Sequence, residues 1–159
     1  LARTAAGFGD VYVSPLHAAL IAASLANDGV MMRPYIVDTI RDRADNLVFS
    51  NSPQPMGRVT SEEVADEVAK MMTRTIKEGT STKVFYRYAR KLVRSVDIAG
   101  KTGSLSGDDP PGRYEWFVGF AQVDNPRIAV VGLVVNQGDL WHIKGTYGAM
   151  RLFREHFGM

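Results

Sequence analysis

An almost unbroken aliphatic run from Ile128 to Val135 is the feature that most constrains the fold of this chain. Such a run is typical of a strand that is buried on both faces, so helices must lie above and below its sheet. A predicted helix from Tyr147 to Phe157, with Met150, Phe153 and Phe157 turned inward, can cover one face. A predicted helix from Leu16 to Asn27 is the candidate for the other face. We therefore expect an α+β fold with an antiparallel sheet covered by helices on both faces.

The two long helices that precede this sheet have clear boundary signals. Ser14-Pro15 places a hydroxyl at the N-cap and a proline in the first turn, and Asp28-Gly29 ends the first helix. Its Ala, Leu and Ile residues lie almost all round, which predicts burial on most sides. Thr60 and Glu63 form a predicted capping box at the start of a second helix, which ends near Gly79. Its apolar positions recur at helical spacing and are Val64, Val68, Met71, Met72, Thr75 and Ile76.

Shorter elements are predicted around the second helix. Tyr35 to Ile40 and Leu47 to Phe49 should pair as a small hairpin, and Ser50 to Gly57, which contains two prolines, should be a loop. Val84 to Arg94 is a second helical stretch with a basic face formed by Arg87, Lys91 and Arg94. We interpret this face as solvated rather than as an anion site.

The segment Ile98–Ser104 predicts a strand that carries Lys101-Thr102-Gly103 to an open sheet edge. It is followed by the strand-like segments Trp116–Ala121 and Ile128–Val135. Together these three segments predict neighbouring antiparallel strands with a basic, glycine-punctuated motif at one margin.

Two chemical interpretations of this motif compete. Gly100-Lys101-Thr102 matches the end of a phosphate-binding P-loop, but that pattern needs a glycine where the chain has Ser95. It also needs a following helix, which the prolines and glycines of Gly103–Gly112 forbid. The nucleotide-binding interpretation is therefore set aside.

An acyl-transfer site fits the same residues better. A serine acyl enzyme needs donors for the developing oxyanion and a cation for the substrate carboxylate. Lys101 supplies a charge, Thr102 and Ser104 supply hydroxyls, and Gly103 leaves the backbone open to a bound acyl group.

Four landmarks in the same order resemble the transpeptidase domain of penicillin-binding proteins. The first lies within Gly9–Gly29, where Val13-Ser14-Pro15-Leu16-His17-Ala18 and Ser24-Leu25-Ala26-Asn27-Asp28-Gly29 resemble the family segment TPLQxA…ALANGG. The family turn xxGTA resembles Lys77-Glu78-Gly79-Thr80-Ser81, and its strand WFxGF resembles Trp116-Phe117-Val118-Gly119-Phe120. The fourth landmark is Lys-Thr-Gly, part of the signature of penicillin-binding proteins and serine β-lactamases.

This resemblance implies a partial penicillin-binding-protein fold, with residues 1–159 as the C-terminal part of one transpeptidase domain. It implies a peptidoglycan D,D-transpeptidase that acts on the D-Ala-D-Ala end of a stem peptide and is acylated by β-lactams. Lys101 would hold ligand charge and tune the serine site, while Thr102 and Ser104 would hydrogen-bond the ligand carboxylate. The Ser104 N–H would be one oxyanion donor, and Trp116 and Phe117 would be packing residues. The alternatives are a serine β-lactamase, a β-lactam sensor, and a non-catalytic homologue that binds peptidoglycan or a divisome partner.

The nucleophile of the family is missing from the sequence. Neither Ser-x-x-Lys nor Ser-x-Asn occurs, and the nearest match, Thr80-Ser81-Thr82-Lys83, has threonine in place of the nucleophile. We expect that the chain alone cannot form an acyl-enzyme, because a nucleophile without an adjacent base is inert at neutral pH. The chain starts at Leu1 rather than at a methionine, so we also expect it to be a fragment of a longer product. Its expected partner is the N-terminal remainder of the same domain, or a second copy that covers the exposed half by self-association.

Composition excludes several other classes of protein. A formal net charge of +2 and a pI near 9.0 are too weakly basic to indicate nucleic-acid binding. The chain has no cysteine, and its three histidines lie far apart, so neither metal nor cofactor is expected. No apolar run is long enough to span a bilayer. The family resemblance alone implies the periplasmic or extracellular face of the bacterial cytoplasmic membrane, with the anchor outside this chain.

Overall fold

The computed structural model describes residues 11–138 and 143–159. The Gly9 end of the first family landmark therefore lies outside the described residues. The helices are α1 (Pro15–Ala26), α2 (Glu62–Lys77), α3 (Thr82–Tyr88), α4 (Arg90–Ser95) and α5 (Gly145–His156). The strands are β1 (Val30–Met32), β2 (Thr39–Arg41), β3 (Leu47–Ser50), β4 (Pro55–Arg58), β5 (Ile98–Asp108), β6 (Pro111–Ala121) and β7 (Ile128–Asn136).

The central sheet has the order β5-β6-β7, and both pairs of neighbours are antiparallel. This confirms the three predicted neighbouring strands. β5 and β6 are both longer than predicted, with 11 residues each. In their register Lys101 lies opposite Val118, and Ser104 lies opposite Glu115.

Helices cover both faces of this sheet, as the aliphatic run required. On one face α5 packs against β6 and β7, with Met150 and Phe153 fully buried beside Phe117 and Val130. On the other face α1 packs against β6 and β7, and a second cluster joins Ala22, Ala69, Ala99 and Phe120. The α+β class with a helix-covered antiparallel sheet is thus confirmed.

Two predictions of burial, of β7 on both faces and of α1 on most sides, are wrong in detail. In β7 only Val130, at 4%, is fully buried, because in the described part of the chain β7 pairs with β6 alone and lies at a sheet margin. In α1 the buried residues are Ala18, Ala22 and Ser24, whereas Leu16 and Ile21 remain 61% and 42% exposed. The apolar surface of α1 is therefore wider than the face that β6 and β7 cover.

The start of α1 is confirmed: the His17 N–H donates to the Ser14 hydroxyl at 3.1 Å, and Pro15 lies in the first turn. Gly29 follows the helix with φ +80°, a value that favours glycine.

The predicted start of α2 is one residue too early. Ser61, not Thr60, is the N-cap and accepts a 3.4 Å hydrogen bond from the Val64 N–H. The Glu63 carboxylate is hydrogen-bonded to its own backbone N–H and to the Ser61 hydroxyl, which lowers its pKa. The predicted apolar face is also partly wrong, since Val64 and Met71 are exposed and the buried residues are Ala65, Ala69 and Ile76.

The segment between α1 and α2 forms two small antiparallel pairs. β2 pairs with β3 as predicted, although the first strand begins only at Thr39. The end of the predicted loop is instead β4, which pairs with β1. Pro55 is tolerated there because it is the first residue of the strand.

The predicted helix from Val84 to Arg94 is interrupted at Ala89, whose backbone φ is −142°. Phe85 and Leu92 turn into the core, while Arg87, Lys91 and Arg94 are exposed, in accord with a solvated basic face.

Candidate active site

The four predicted site residues, Lys101 to Ser104, lie on β5 at the margin of the central sheet. Side chains alternate along a strand, so Lys101 and Gly103 point to one face while Thr102 and Ser104 point to the other. The face of Thr102 and Ser104 is also the face of their cross-strand partners Phe117 and Glu115. The motif therefore presents a cation and hydroxyl groups on opposite faces of one exposed strand.

Lys101 is exposed, and its Nζ donates a 2.7 Å hydrogen bond to the backbone carbonyl of Thr102. It lines a cleft of about 290 Å³ between β5 and the end of α2. Arg74 and Glu78 line the same cleft, so its lining contains two basic residues and one acidic residue. The cleft can accept an anionic group, and sequence reasoning missed Arg74 because a basic residue in the last turn of a helix is common.

Thr102 is connected to the turn that follows α2. Its hydroxyl lies 2.7 Å from the hydroxyl of Thr80, a hydrogen bond that joins β5 to the Gly79-Thr80 turn. Gly79 is required by packing, because a Cβ at that position would lie 2.9 Å from the Thr75 Cα. Two of the four family landmarks thus meet at this hydrogen bond.

Ser104 is held by a carboxylate that sequence reasoning missed. Its Oγ donates a 2.9 Å hydrogen bond to Glu115 Oε2, and Arg113 Nε donates at 2.8 Å to Glu115 Oε1. The Glu115 side chain is only 6% exposed, although Ser104 itself is exposed. The available signal was positional, since Glu115 precedes the buried Phe117 by two residues and shares its face of β6.

The glycines near the motif differ in how much room a side chain would have at each position. A Cβ at Gly100 would overlap the Phe117 ring, and one at Gly119 would overlap the Ala99 carbonyl oxygen. A Cβ at Gly103 would meet only the Trp116 Cβ, at an ordinary 3.5 Å. Packing among the described residues thus requires glycine at positions 100 and 119 but leaves room for a methyl group at position 103.

The two aromatic residues of β6 differ in burial. Phe117 is fully buried, as expected of a packing residue, with its ring centroid 5.8 Å from that of Phe85 and 6.3 Å from that of Phe153. Trp116, on the opposite face, is only partly buried. Phe117 therefore supports the site strand from behind, next to Gly100.

Metal and membrane features were searched for in the described ranges. Within residues 11–138 and 143–159, no three His, Asp or Glu side chains come together as metal ligands would. Of the helices in these same ranges, none has the length and hydropathy needed to cross a bilayer.

The family profile described as "Penicillin binding protein transpeptidase domain" matches residues 2–153 of the sequence. The chain belongs to the penicillin-binding protein transpeptidase family. This confirms the family suggested by the Lys-Thr-Gly strand and the other three landmarks.

Individual relatives agree with this assignment. The chain is 31% identical over 153 residues to the peptidoglycan D,D-transpeptidase PbpA of Mycolicibacterium smegmatis, covering 94% of this chain and 29% of that protein. It is 28% identical to penicillin-binding protein 1B of Haemophilus influenzae, covering 93% of this chain and 17% of that protein. The structure of penicillin-binding protein A from M. tuberculosis, solved as a penicillin G acyl-enzyme complex, matches with a TM-score of 0.73 and 28% identity. That match covers 96% of this chain and 34% of the solved chain.

The chain spans less than a third of the length of these curated relatives, at 29% of the M. smegmatis protein and 17% of the H. influenzae protein. It therefore matches only part of each of these penicillin-binding proteins.

Proposed function

We propose that residues 1–159 are the C-terminal part of a single D,D-transpeptidase domain and carry one wall of its active site. The observation that supports this most strongly is the β5 margin. There Lys101 lines an open cleft, and the Thr102 hydroxyl is hydrogen-bonded to Thr80 in the Gly79-Thr80 turn. Beside Gly103 there is room for a methyl group, so packing among the described residues does not require glycine at this position.

In this proposal the substrate is the D-Ala-D-Ala end of a peptidoglycan stem peptide, and β-lactams bind in its place. Lys101 supplies positive charge to the anionic ligand and to the serine site, with Arg74 adding charge to the same cleft. Thr102 and Ser104 line the place of the ligand carboxylate, and the Ser104 N–H is one oxyanion donor. The penicillin G acyl-enzyme of the M. tuberculosis relative supports the assignment of β-lactams as ligands.

The nucleophile comes from the N-terminal remainder of the domain, since the sequence contains neither Ser-x-x-Lys nor Ser-x-Asn. The exposed apolar residues of α1, Leu16 and Ile21, and the margin of β7 are the surfaces that this remainder covers. A second copy of the chain would cover the same surfaces when the remainder is missing. The assembled protein works outside the cytoplasmic membrane, where peptidoglycan is made.

The proposal is tested by incubating penicillin G with two proteins and recording intact masses. One protein is this chain alone, and the other contains the chain together with the sequence encoded upstream of it. We expect a penicilloyl adduct on the second protein only, at a serine upstream of Leu1. An adduct on the chain alone would contradict the proposed division of the site, and no adduct on either would contradict the proposed function. Rapid release of hydrolysed penicillin would instead indicate a serine β-lactamase.

A further inference from the structure

The segment from Thr82 to Ser95, which forms α3 and α4, contains basic residues and no acidic residue. Its five cationic residues are Lys83, Arg87, Arg90, Lys91 and Arg94. Because the formal net charge of the whole chain is only +2, the rest of the sequence is net negative. Positive charge is therefore concentrated on these five residues, which we call the α3–α4 basic surface.

Neighbouring carboxylates do not neutralise this surface. All five residues are exposed, and within the described part of the chain none of them forms a salt bridge. By contrast, Lys77, which precedes the segment, is paired with Asp97 at 2.9 Å. The helix α5, which packs against α3, has one acidic residue, Glu155, and two arginines, Arg151 and Arg154. The basic surface thus presents its charge to solvent.

The backbone beneath the charges is anchored in the core. Phe85, Ala89 and Leu92 of the same segment are buried in the main core cluster. The Tyr88 ring meets the Tyr147 ring of α5 edge-on, with centroids 5.5 Å apart, and the Arg87 guanidinium lies 5.2 Å from the Tyr88 centroid. The basic residues therefore project from two packed helices and not from a free loop.

Two tyrosines accompany the charges. Tyr86 and Tyr88 are 42% and 44% exposed, so each presents part of an apolar ring with a polar hydroxyl end. Such side chains are enriched at the boundary between lipid headgroups and acyl chains, because one end is apolar and the other is hydrated. Clusters of lysine and arginine are attracted to anionic lipid headgroups. The tyrosines therefore favour a lipid surface over a soluble polyanion.

The distribution of the charges also suits an extended partner. None of the five basic residues lines the cleft beside Lys101, so they do not belong to the proposed acyl-transfer site. Separate, solvated charges are poorly suited to hold one small anion, in agreement with the interpretation from sequence. They can be attracted by an extended anionic surface while they stay hydrated, since the interaction acts through water over about 8 Å at physiological ionic strength.

We propose that the α3–α4 basic surface binds peripherally to anionic phospholipid headgroups, with Tyr86 and Tyr88 entering the headgroup layer. The partner is the bilayer surface, and the domain would lie against it by its α3–α4 side. This proposal goes beyond the proposed function and does not rest on it. Binding to vesicles and acylation by penicillin G are separate measurements, so the failure of one is distinguishable from the failure of the other.

The test measures co-sedimentation with lipid vesicles. The protein is the chain produced with the proposed N-terminal remainder of its domain and without any membrane-spanning segment, so that only peripheral binding is measured. Vesicles of equal parts phosphatidylglycerol and phosphatidylcholine are compared with vesicles of phosphatidylcholine alone. We expect binding to the anionic vesicles only, and a loss of about ten-fold or more in affinity when the ionic strength is raised to about 0.5 M. No binding to the anionic vesicles would overturn the proposal.

Charge removal locates the binding surface. Lys91→Gln/Arg94→Gln should weaken binding to the anionic vesicles about 25-fold, because each basic residue near an anionic surface contributes a factor of about five. The matched control is Arg33→Gln/Arg43→Gln, which has the same net charge and changes two exposed arginines between α1 and α2. We expect the control to bind within about three-fold of the wild type, since distant charges are screened. Equal weakening in both variants would show that only net charge matters and would overturn the proposal.

Tyr86→Ala tests whether the partner is a bilayer. Loss of the ring should weaken binding to the anionic vesicles about five-fold, because a bilayer accepts an apolar ring between its headgroups. Tyr35→Ala removes a tyrosine of similar exposure, 49%, outside the basic surface and should bind as the wild type does. An unchanged affinity for Tyr86→Ala would contradict the entry of this ring into the headgroup layer. Binding of soluble polyphosphate as tightly as the anionic vesicles would identify a general polyanion surface and overturn the proposal.

Discussion

Phe117→Ala should strongly destabilise the fold. It should also make room for a side chain at Gly100, because a Cβ there would overlap the Phe117 ring. Phe117 is 0% exposed and packs against the rings of Phe85 and Phe153, at centroid distances of 5.8 and 6.3 Å. Truncation of a buried phenylalanine costs about 3–5 kcal/mol, and both aromatic pairs are lost with it. This is a large fraction of the roughly 5–15 kcal/mol that stabilises a typical domain.

The structure makes a sharper, paired prediction for Gly100→Ala. In the wild type the new methyl group would overlap the Phe117 ring, so overpacking should cost about 1–3 kcal/mol. In the Phe117→Ala background the ring is absent, so the same substitution should cost less, and the two changes should be non-additive.

The assay is urea denaturation, followed by far-UV circular dichroism, of the domain produced with the proposed N-terminal remainder. Tyr86→Ala is the matched control, because this aromatic side chain is exposed and neighbours the buried Phe85. We expect the control to change the free energy of unfolding by less than about 1 kcal/mol. A Phe117→Ala loss of similar size, or strictly additive costs for Gly100→Ala and Phe117→Ala, would refute the packing described here.

Three further predictions concern the site, the start of α2 and the β2–β3 hairpin. Lys101→Ala should slow acylation by penicillin G by at least about ten-fold with an unchanged melting temperature, because the side chain is exposed and charge-assisted contacts are strong; equal rates would contradict its role. Ser61→Ala should lower the free energy of unfolding by about 1 kcal/mol in urea denaturation, whereas Thr60→Ala should have little effect. A larger loss for Thr60→Ala than for Ser61→Ala would instead support the capping box at Thr60 that the sequence predicts. Hydrogen bonds from Asn46 lower the pKa of Asp42, so the stabilisation from Asp42 should be present above its unfolded pKa and lost as pH falls through its folded pKa. Asn46→Ala should raise the pKa of Asp42 in an NMR titration. An unchanged pKa would show that the hydrogen bond from the Asn46 side chain is not what lowers it.

The parts of the fold that sequence predicted have strong local periodicity or unambiguous end signals. The aliphatic run of β7 and the helix of Met150 and Phe153 could be paired in advance, because each needs an apolar surface that the other provides. The Ser14-Pro15 start was predictable because a hydroxyl N-cap and a first-turn proline satisfy the same local requirement.

The parts that failed depend on contacts distant in sequence. β4 lies in a segment that was predicted as a loop because Pro53 and Pro55 disfavour a strand. Only its pairing with β1 makes it a strand. The break at Ala89 has no proline or glycine to mark it; Phe85 and Leu92 on either side both enter the core. The N-cap of α2 was predicted at Thr60 but is Ser61. Both residue types are favourable N-caps, so the sequence alone does not distinguish the two positions.

The candidate site shows the same division. Lys101 to Ser104 were recognisable from residue type and order. Glu115 was not, because a single glutamate in a strand has no signal until the register places it opposite Ser104. Arg74 likewise joins the site only when the end of α2 lies beside β5.

The spare room at Gly103 affects how this sequence can vary beside the proposed site. Most glycines near the motif cannot gain a side chain without a collision, but among the described residues a methyl group at position 103 would meet only the Trp116 Cβ. If the proposed β-lactam site is correct, a Gly103→Ala substitution would change the shape of that site without the overlap that Gly100→Ala creates. Variation at position 103 would then be limited by the fit of the ligand and not by the free energy of folding.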